Sequence, residues 1–143
     1  MNREIKFRAW DKLNNKMIDY LVTEGNCLNL SLGANLGEDK RFTLMQFTGL
    51  KDKNGKEIWE GDILGWWGGR RGHPKKGASK GRPWPVGFDE QTGGWGLRYL
   101  NEESYDGKVF NNIAFKLSRA LARKKEIIGN IYENRELSTN QEK

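Results

Sequence analysis

Two chain reversals within fifteen residues restrict the fold of this sequence more than any other feature. The stretch LKDKNGKEIWEGDIL, residues 50–64, contains the pair Asn54-Gly55, which is typical of tight turns that need positive φ. The short segment KEIWE follows, and the pair Gly61-Asp62 then turns the chain into ILGWW. So short a strand between two turns predicts a corner of a small β-barrel.

Carboxylates in the same stretch suggest a second interpretation, a catalytic or metal-binding site. Asp52, Glu57, Glu60 and Asp62 would have to converge on one point to work as acid and base or to bind a metal. Glu57 and Glu60 are three positions apart, so they would point to opposite faces of an extended strand. We therefore expect these carboxylates to lie in solvated turns and to accept hydrogen bonds from the backbone.

Most of the remaining sequence alternates between apolar and polar residues, as β-strands do. EIKFRAWD and the returning strand in DKLNNKMIDYLV predict a hairpin across an Asn-rich turn. Further strands are predicted in CLNLSL, RFTLMQFTGL, PVGFD, WGLRYL and EIIGNIYENREL. The sequence therefore predicts a mainly β fold, or a β-rich α+β fold.

A single helix is predicted near the C-terminus, from about Asn112 to Lys124. Asn111 or Asn112 is placed to cap its first turn. The apolar residues that recur at helical spacing are Ile113, Leu117, Ala120 and Leu121. After the last strand, residues 133–143 form a polar tail, which we expect to fray at its end.

The net charge of +6 is concentrated in one segment. No acidic residue lies between Asp62 and Asp89, whereas six basic residues do: Arg70, Arg71, Lys75, Lys76, Lys80 and Arg82. The other 19 Lys and Arg residues balance the 19 Asp and Glu residues of the chain. All three prolines and many glycines also lie in residues 65–85, which excludes a continuous helix or central strand. The sequence predicts a long basic loop there.

Cations interleaved with tryptophans predict that this loop binds nucleic acid. Lys and Arg neutralise phosphates, and the rings of Trp66, Trp67 and Trp84 are suited to stacking on unpaired bases. In the alternative interpretation, the tryptophans pack onto the barrel as a lid and the cations only keep the loop soluble. A third interpretation is a protein-interaction module, because small barrels hold peptides or partner subunits through exposed aromatic residues.

Composition excludes several other classes of protein. One cysteine excludes an intramolecular disulfide, and one Cys with one His falls short of a structural zinc site, so no metal or cofactor is expected. Cys27 lies in an apolar alternating strand, and His73 has no carboxylate near it in the sequence, so neither is predicted to be catalytic. No apolar run approaches the roughly 18 residues of a membrane span, so we expect a cytoplasmic protein without a membrane partner.

Three blocks of the sequence, taken in order, resemble one known family. The blocks are REIKFRAWD with KMI, then LMQFTGLKDKNGKEIWEGDIL, and finally EIIGNIYEN followed by EL. They are similar to the YopX family of small phage and prophage proteins. The resemblance implies an SH3-like barrel that contains the GKEIWEGDIL corner and is joined to a small α+β region. It also implies homo-oligomers, and it brings no catalytic residues to this chain.

One residue and one segment depart from the family pattern. Arg135 stands where family members tend to have proline in NIYENPEL, which relaxes a rigid terminal turn. The basic segment, residues 65–85, looks longer than the corresponding connection in the family, so no family role carries over to it.

The expected organisation is a single domain over residues 1–143. It would consist of an N-terminal β region (about 1–48), an SH3-like barrel (49–132) with the loop at 65–85 and the helix near 112–124, and the polar tail. The expected function is that of a non-enzymatic phage or prophage accessory protein that binds nucleic acid through the loop, inside the bacterial host cell. The alternative is an oligomeric protein-interaction factor that acts on a host or phage protein.

Overall fold

The computed structural model describes residues 4–21, 23–24, 27–28, 41–65, 83–98 and 113–138. Within these ranges the chain is mainly β, which confirms the predicted fold class. The described strands are β1 (Phe7–Asp11), β2 (Lys16–Leu21), β3 (Thr23–Glu24), β4 (Cys27–Leu28), β5 (Phe42–Lys51), β6 (Glu57–Trp59), β7 (Asp62–Gly65), β8 (Trp84–Asp89), β9 (Gly94–Arg98), β10 (Ile113–Lys116) and β11 (Glu126–Asn130). The described helical turns are α1 (Arg119–Ala122) and α2 (Arg135–Ser138).

The first sheet is antiparallel, with the strand order β2-β1-β5-β6. β1 and β2 form the hairpin predicted from the sequence, and Asn15 in its turn has a φ of 48°. The Asp11 carboxylate holds this turn by accepting hydrogen bonds from the N–H groups of Leu13 (2.9 Å) and Asn14 (3.3 Å). Hydrogen bonds from the Arg41 guanidinium hold the pKa of Asp11 well below its ordinary value. β3 and β4 pair separately.

The second sheet has the strand order β10-β9-β8-β7-β11 and curls into a half-barrel. All of its strand pairs are antiparallel. Residues that lie opposite each other in such pairs share a face, so Val86 and Leu97 project to the same side. That side belongs to the main hydrophobic core, whose buried members are Ile58, Leu64, Trp84, Val86, Trp95, Leu97, Leu117 and Ala122.

The stretch 50–64 crosses from the first sheet to the second. β6 pairs with β5 in the first sheet, whereas β7 pairs with β8 and β11 in the second. The two predicted turn glycines have the positive φ that tight turns require, 80° at Gly55 and 79° at Gly61. The Gly61 backbone also forms hydrogen bonds of 2.9 Å with Val86 and Ile131. The predicted corner is therefore the link between two sheets, and the division predicted near residue 48 falls inside β5.

The helix predicted from Asn112 to Lys124 is wrong in its extent. Ile113–Lys116 form β10 and pair with β9, and only Arg119–Ala122 are helical. Local apolar spacing suits a helix here, but pairing with β9 satisfies the backbone instead, and no local pattern reports such a partner. The cap is Ser118 rather than an asparagine, since its hydroxyl accepts a hydrogen bond from the N–H of Leu121 at 3.2 Å. In the predicted polar tail, α2 forms one further helical turn.

Candidate functional site

The basic segment predicted from the sequence is anchored on two paired strands. β7 ends at Gly65 and β8 begins at Trp84, and Leu64 lies opposite Trp84 in the ladder. The two ends of the segment are therefore side by side at one end of the β7–β8 hairpin. Eight of the predicted site residues lie outside the described residues: Trp66, Trp67, Arg70, Arg71, Lys75, Lys76, Lys80 and Arg82.

Trp84, the ninth predicted site residue, is a core residue. Its relative exposure is 6%, and it belongs to the main hydrophobic core. Its ring meets the ring of Phe115 edge-on, with centroids 5.3 Å apart and an interplanar angle of 72°. A ring buried to this extent offers no free face to a base. The position of Trp84 therefore favours the packing alternative for this residue over base stacking.

Asp52, Glu60 and Asp62 accept hydrogen bonds from the backbone, as expected, whereas Glu57 pairs with Lys6. Two of these carboxylates are buried rather than solvated. Asp52 and Asp62 are 4% and 2% exposed. Asp52 Oδ1 accepts hydrogen bonds from the N–H groups of Asn54 (2.8 Å) and Lys56 (2.9 Å), and Oδ2 accepts one from Ile127 (3.2 Å). These bonds tie the Asn54-Gly55 turn to β11. Asp52 is not solvated because the chain at β11 packs against this turn, where the N–H of Lys53 also donates to the carbonyl of Lys125 at 2.8 Å.

Asp62 forms a buried ion pair with Arg8, a contact that the sequence did not reveal. The Arg8 guanidinium donates to Asp62 Oδ1, and the backbone N–H of Trp59 donates to Oδ2 at 2.9 Å. Arg8 also lies over the Trp59 ring, with its Cζ 5.3 Å from the ring centroid. Burial raises the pKa of the Asp62 carboxyl, and the positive charge of Arg8 acts against this shift. The pair joins β1 of the first sheet to β7 of the second.

A cleft of about 550 Å³ lies beside this ion pair. Its volume is in the range of small-molecule sites. Its apolar lining is Met17, Trp59, Ile127 and Ile128, and its charged lining is Arg8, Asp19, Lys56, Glu57, Asp62 and Glu133. Much of this charge is engaged within the protein, since Glu57 pairs with Lys6 at 2.7 Å and Glu133 accepts a hydrogen bond from Asn130 at 2.6 Å. The cleft thus combines apolar side chains with charged ones, among them the buried Arg8 and Asp62.

Glu60 borders a smaller cavity of about 120 Å³ instead of pointing into open solvent. Burial raises the pKa of its carboxyl, against a long hydrogen bond from the N–H of Gln46 (3.4 Å) and the charge of Arg98. Burial also lowers the pKa of the Arg98 guanidinium, whose Nη2 donates to the carbonyl of Phe88 at 2.7 Å. Glu60 and Arg98 are far apart in the sequence, so no local signal could have joined them.

The expectations for the remaining candidates, His73 and Cys27, stay predictions. His73 lies outside the described residues, as does the side chain of Cys27. Among the residues that the structure describes, no three or more His, Cys, Asp or Glu side chains come together as metal ligands. Neither α1 nor α2, the helices of the described ranges, has the length and apolar character needed to cross a bilayer.

Comparisons with known proteins place the chain in a family. The model of the YopX protein family matches residues 6–138. A comparison with curated proteins gives no match. Among solved structures, the chain is similar to the crystal structure of protein EF1440 from Enterococcus faecalis, with a TM-score of 0.60 and 25% identity over 96% of this chain and 100% of that chain. Because the family match spans residues 6–138 of a 143-residue chain, the chain belongs to the YopX family.

Proposed function

We propose that this chain is a non-enzymatic accessory protein of a phage or prophage that binds nucleic acid through its basic segment, residues 65–85. One observation carries the proposal. The whole excess of positive charge lies in a segment that begins and ends on two paired strands, where Leu64 lies opposite Trp84. Six cations in one segment tethered at two neighbouring strands favour contact with a phosphate backbone.

The tryptophans of the segment divide into two roles in this proposal. Trp66 and Trp67 are the candidates for stacking on unpaired bases. Trp84 contributes by holding the segment's end in the core, because it is buried there. The non-enzymatic part of the proposal is supported by the carboxylates Asp52 and Asp62, whose oxygens are bound by backbone N–H groups and by Arg8.

The alternative proposal is an oligomeric protein-interaction factor that acts on a host or phage protein. The cleft beside Arg8 and Asp62 favours it. Its lining combines apolar side chains with a few polar ones that can orient a bound group, which suits a side chain of a protein partner. A pull-down from host extract, with and without nuclease, separates the two proposals. Recovery that nuclease abolishes supports nucleic acid, whereas one stoichiometric protein that survives nuclease supports the alternative.

Titration of labelled single-stranded and duplex oligonucleotides at several salt concentrations tests nucleic-acid binding directly. If all six cations of the segment neutralise phosphates, the slope of log affinity against log salt for single strands should be roughly −4. Serine at Arg70, Arg71, Lys75 and Lys76 should flatten the slope and weaken binding to all sequences alike, because phosphate contacts do not specify sequence.

A charge-matched control distinguishes the segment from net charge. Serine at four exposed lysines elsewhere, Lys12, Lys16, Lys51 and Lys56, makes the same change in net charge and should leave most of the slope intact. If both variants lose the same amount of affinity and slope, net charge alone accounts for the binding. Absence of binding by the unmodified protein at low salt would overturn the proposal.

A further inference from the structure

A second basic surface lies on β10 and α1, within the described residues. From Ile113 to Lys125 the sequence has five basic residues and no acidic one. Four of them are exposed: Lys116, Arg119, Arg123 and Lys124. None of these four forms an ion pair with any residue that the structure describes. Their charge is therefore available to a ligand.

Arg119 and Arg123 place two positive charges close together on α1. Arg119 opens α1, and Arg123 caps its end with helical φ and ψ of −64° and −13°, so the two side chains share one face of the helical turn. Like charges at this spacing repel each other, and the first turn of α1 contains no acidic residue to offset them. An anion bound over both guanidinium groups would remove this repulsion, and Lys124 is a third exposed cation, next to Arg123 in the sequence.

Phe115 supplies an exposed aromatic ring just before these cations. Its relative exposure is 46%, although it lies on the same face of the sheet as core residues. A shift of register between Ile113 and Phe115, as at a β-bulge, explains which face the ring takes. Ile113 lies opposite Arg98, but the register then shifts and Phe115 lies opposite Leu97, which turns its ring to the side of Trp84. Bulges often re-aim a side chain in this way next to functional sites.

Trp84 supports the Phe115 ring without covering it. The two rings are nearly perpendicular, with an interplanar angle of 72°, so the indole fixes the ring at one place while almost half of the residue stays accessible. An exposed ring that is followed closely in the sequence by exposed cations suits a single strand, since a base can stack on the ring while its phosphates contact the cations. A duplex offers no free base face to such a ring.

We infer that single-stranded nucleic acid contacts this β10–α1 surface, with Phe115 stacking on an unpaired base and Arg119, Arg123 and Lys124 neutralising phosphates. The inference rests on the proposed function and extends it from the basic segment to a surface of described residues. Lys116 is not included, because it lies opposite Gly96 in the ladder and so projects to the other face of the sheet from Phe115.

The charged part is tested by anisotropy titration of the full chain with labelled oligothymidine and with a duplex, over a range of salt. Serine at Arg119, Arg123 and Lys124 should flatten the single-strand slope by about 2, at roughly 0.7 for each lost contact. The control with the same change in charge has serine at Lys16, Lys51 and Lys116, and should keep the slope of the unmodified protein.

The aromatic part is tested with Phe115→Leu, which keeps an apolar side chain against Trp84 and so protects the fold. It should weaken oligothymidine binding by roughly 5- to 150-fold, from the energy of one base–ring stack, with little change in slope. Phe115→Trp, which keeps an aromatic ring at this position, should bind oligothymidine about as well as the unmodified protein. Phe88→Leu is the matched control, because Phe88 is also an exposed ring (39%) in an edge-on contact with a core tryptophan, Trp95.

The outcomes separate the inference from the proposed function. If the β10–α1 variants bind as the unmodified protein does, while serine at Arg70, Arg71, Lys75 and Lys76 weakens binding, the inference is wrong and the proposed function stands. If only the β10–α1 variants weaken binding, the inference stands and the basic segment loses its assigned role. If polyglutamate displaces the protein as effectively as oligothymidine does, the partner is an acidic protein and the nucleic-acid assignment is overturned.

Discussion

Arg8 and Asp62 are 54 positions apart in the sequence, yet their side chains form a buried ion pair between β1 and β7. Arg8 is 8% exposed, and its Nε has no hydrogen-bond partner among the described residues. Desolvation favours the protonated form of a buried carboxyl group. Asp62 therefore needs a positively charged partner such as Arg8 to keep its charge. The packing of the two sheets therefore depends on Arg8 and Asp62, and a substitution at either residue should weaken it.

We expect Arg8→Met to destabilise the protein by about 3–5 kcal/mol near neutral pH, because a buried carboxylate loses its partner. Burial already raises the pKa of Asp62, so the folded protein binds a proton at the Asp62 carboxyl group more tightly than the unfolded chain does. Stability therefore falls as pH rises from the unfolded to the folded pKa, and loss of Arg8 widens that interval. Urea unfolding should show a smaller cost of Arg8→Met in mild acid than at neutral pH.

The control for this prediction is Arg8→Met combined with Asp62→Asn, which removes the charge that Arg8 balances. The double variant should recover much of the lost stability at neutral pH and should no longer show the extra pH dependence. A cost of Arg8→Met that is the same at both pH values would mean that Asp62 does not depend on Arg8 for its charge.

At the scale of elements, β9 and β10 approach each other closely at a glycine. A Cβ on Gly96 would lie 2.5 Å from Cγ2 of Ile113. We expect Gly96→Ala to destabilise the protein by about 1–3 kcal/mol through overpacking, and to lower the hydrogen-exchange protection of β10. Adding Ile113→Ala should remove most of that cost. Gly94→Ala is the control in the same strand, since its nearest contact would be Thr92 Oγ1 at 4.0 Å.

This substitution also decides between strand and helix for the segment that the sequence misassigned. If Ile113–Lys116 were helical, as their spacing predicts, Ile113 would not meet Gly96 and Gly96→Ala would melt like the Gly94→Ala control. Equal melting temperatures of Gly96→Ala and Gly94→Ala would therefore show that residues 113–116 do not pair with β9 as a strand.

Alternation predicted strands such as β1, β2 and β5 because a half-buried strand repeats every two residues, and that repeat is local. It could not predict β10, because the residues of β10 fit both the strand repeat and the apolar spacing of a helix. The pairing with β9 decides between the two, and no local pattern in residues 113–116 indicates that pairing. The candidate site divides in the same way. The charge of residues 65–85 can be read from composition. The burial of Trp84 depends on Leu64 and Phe115, and the face to which Phe115 projects depends on the register of β10 against β9.

At the scale of the whole molecule, the two sheets are connected at separate places. The chain crosses from one sheet to the other in residues 50–64. Trp10 of β1 stacks on Tyr132, which follows β11, with ring centroids 5.8 Å apart. The Asp52 carboxylate at the end of β5 accepts a hydrogen bond from Ile127 of β11. With the Arg8–Asp62 pair, these contacts couple the stability of each sheet to that of the other.

We therefore expect the described part of the molecule to unfold as one cooperative unit. Tyr132→Ala should cost about 2 kcal/mol, less than the 3–5 kcal/mol typical of a fully buried aromatic residue, because Tyr132 is only half-buried. The loss should appear equally in the most protected amides of β5 and of β8 when hydrogen exchange is measured separately for each strand. Tyr132→Phe, which keeps the stacked ring, should cost much less. A loss confined to β5 or to β8 would show that the two sheets open independently, because a contact between coupled sheets cannot stabilise only one of them.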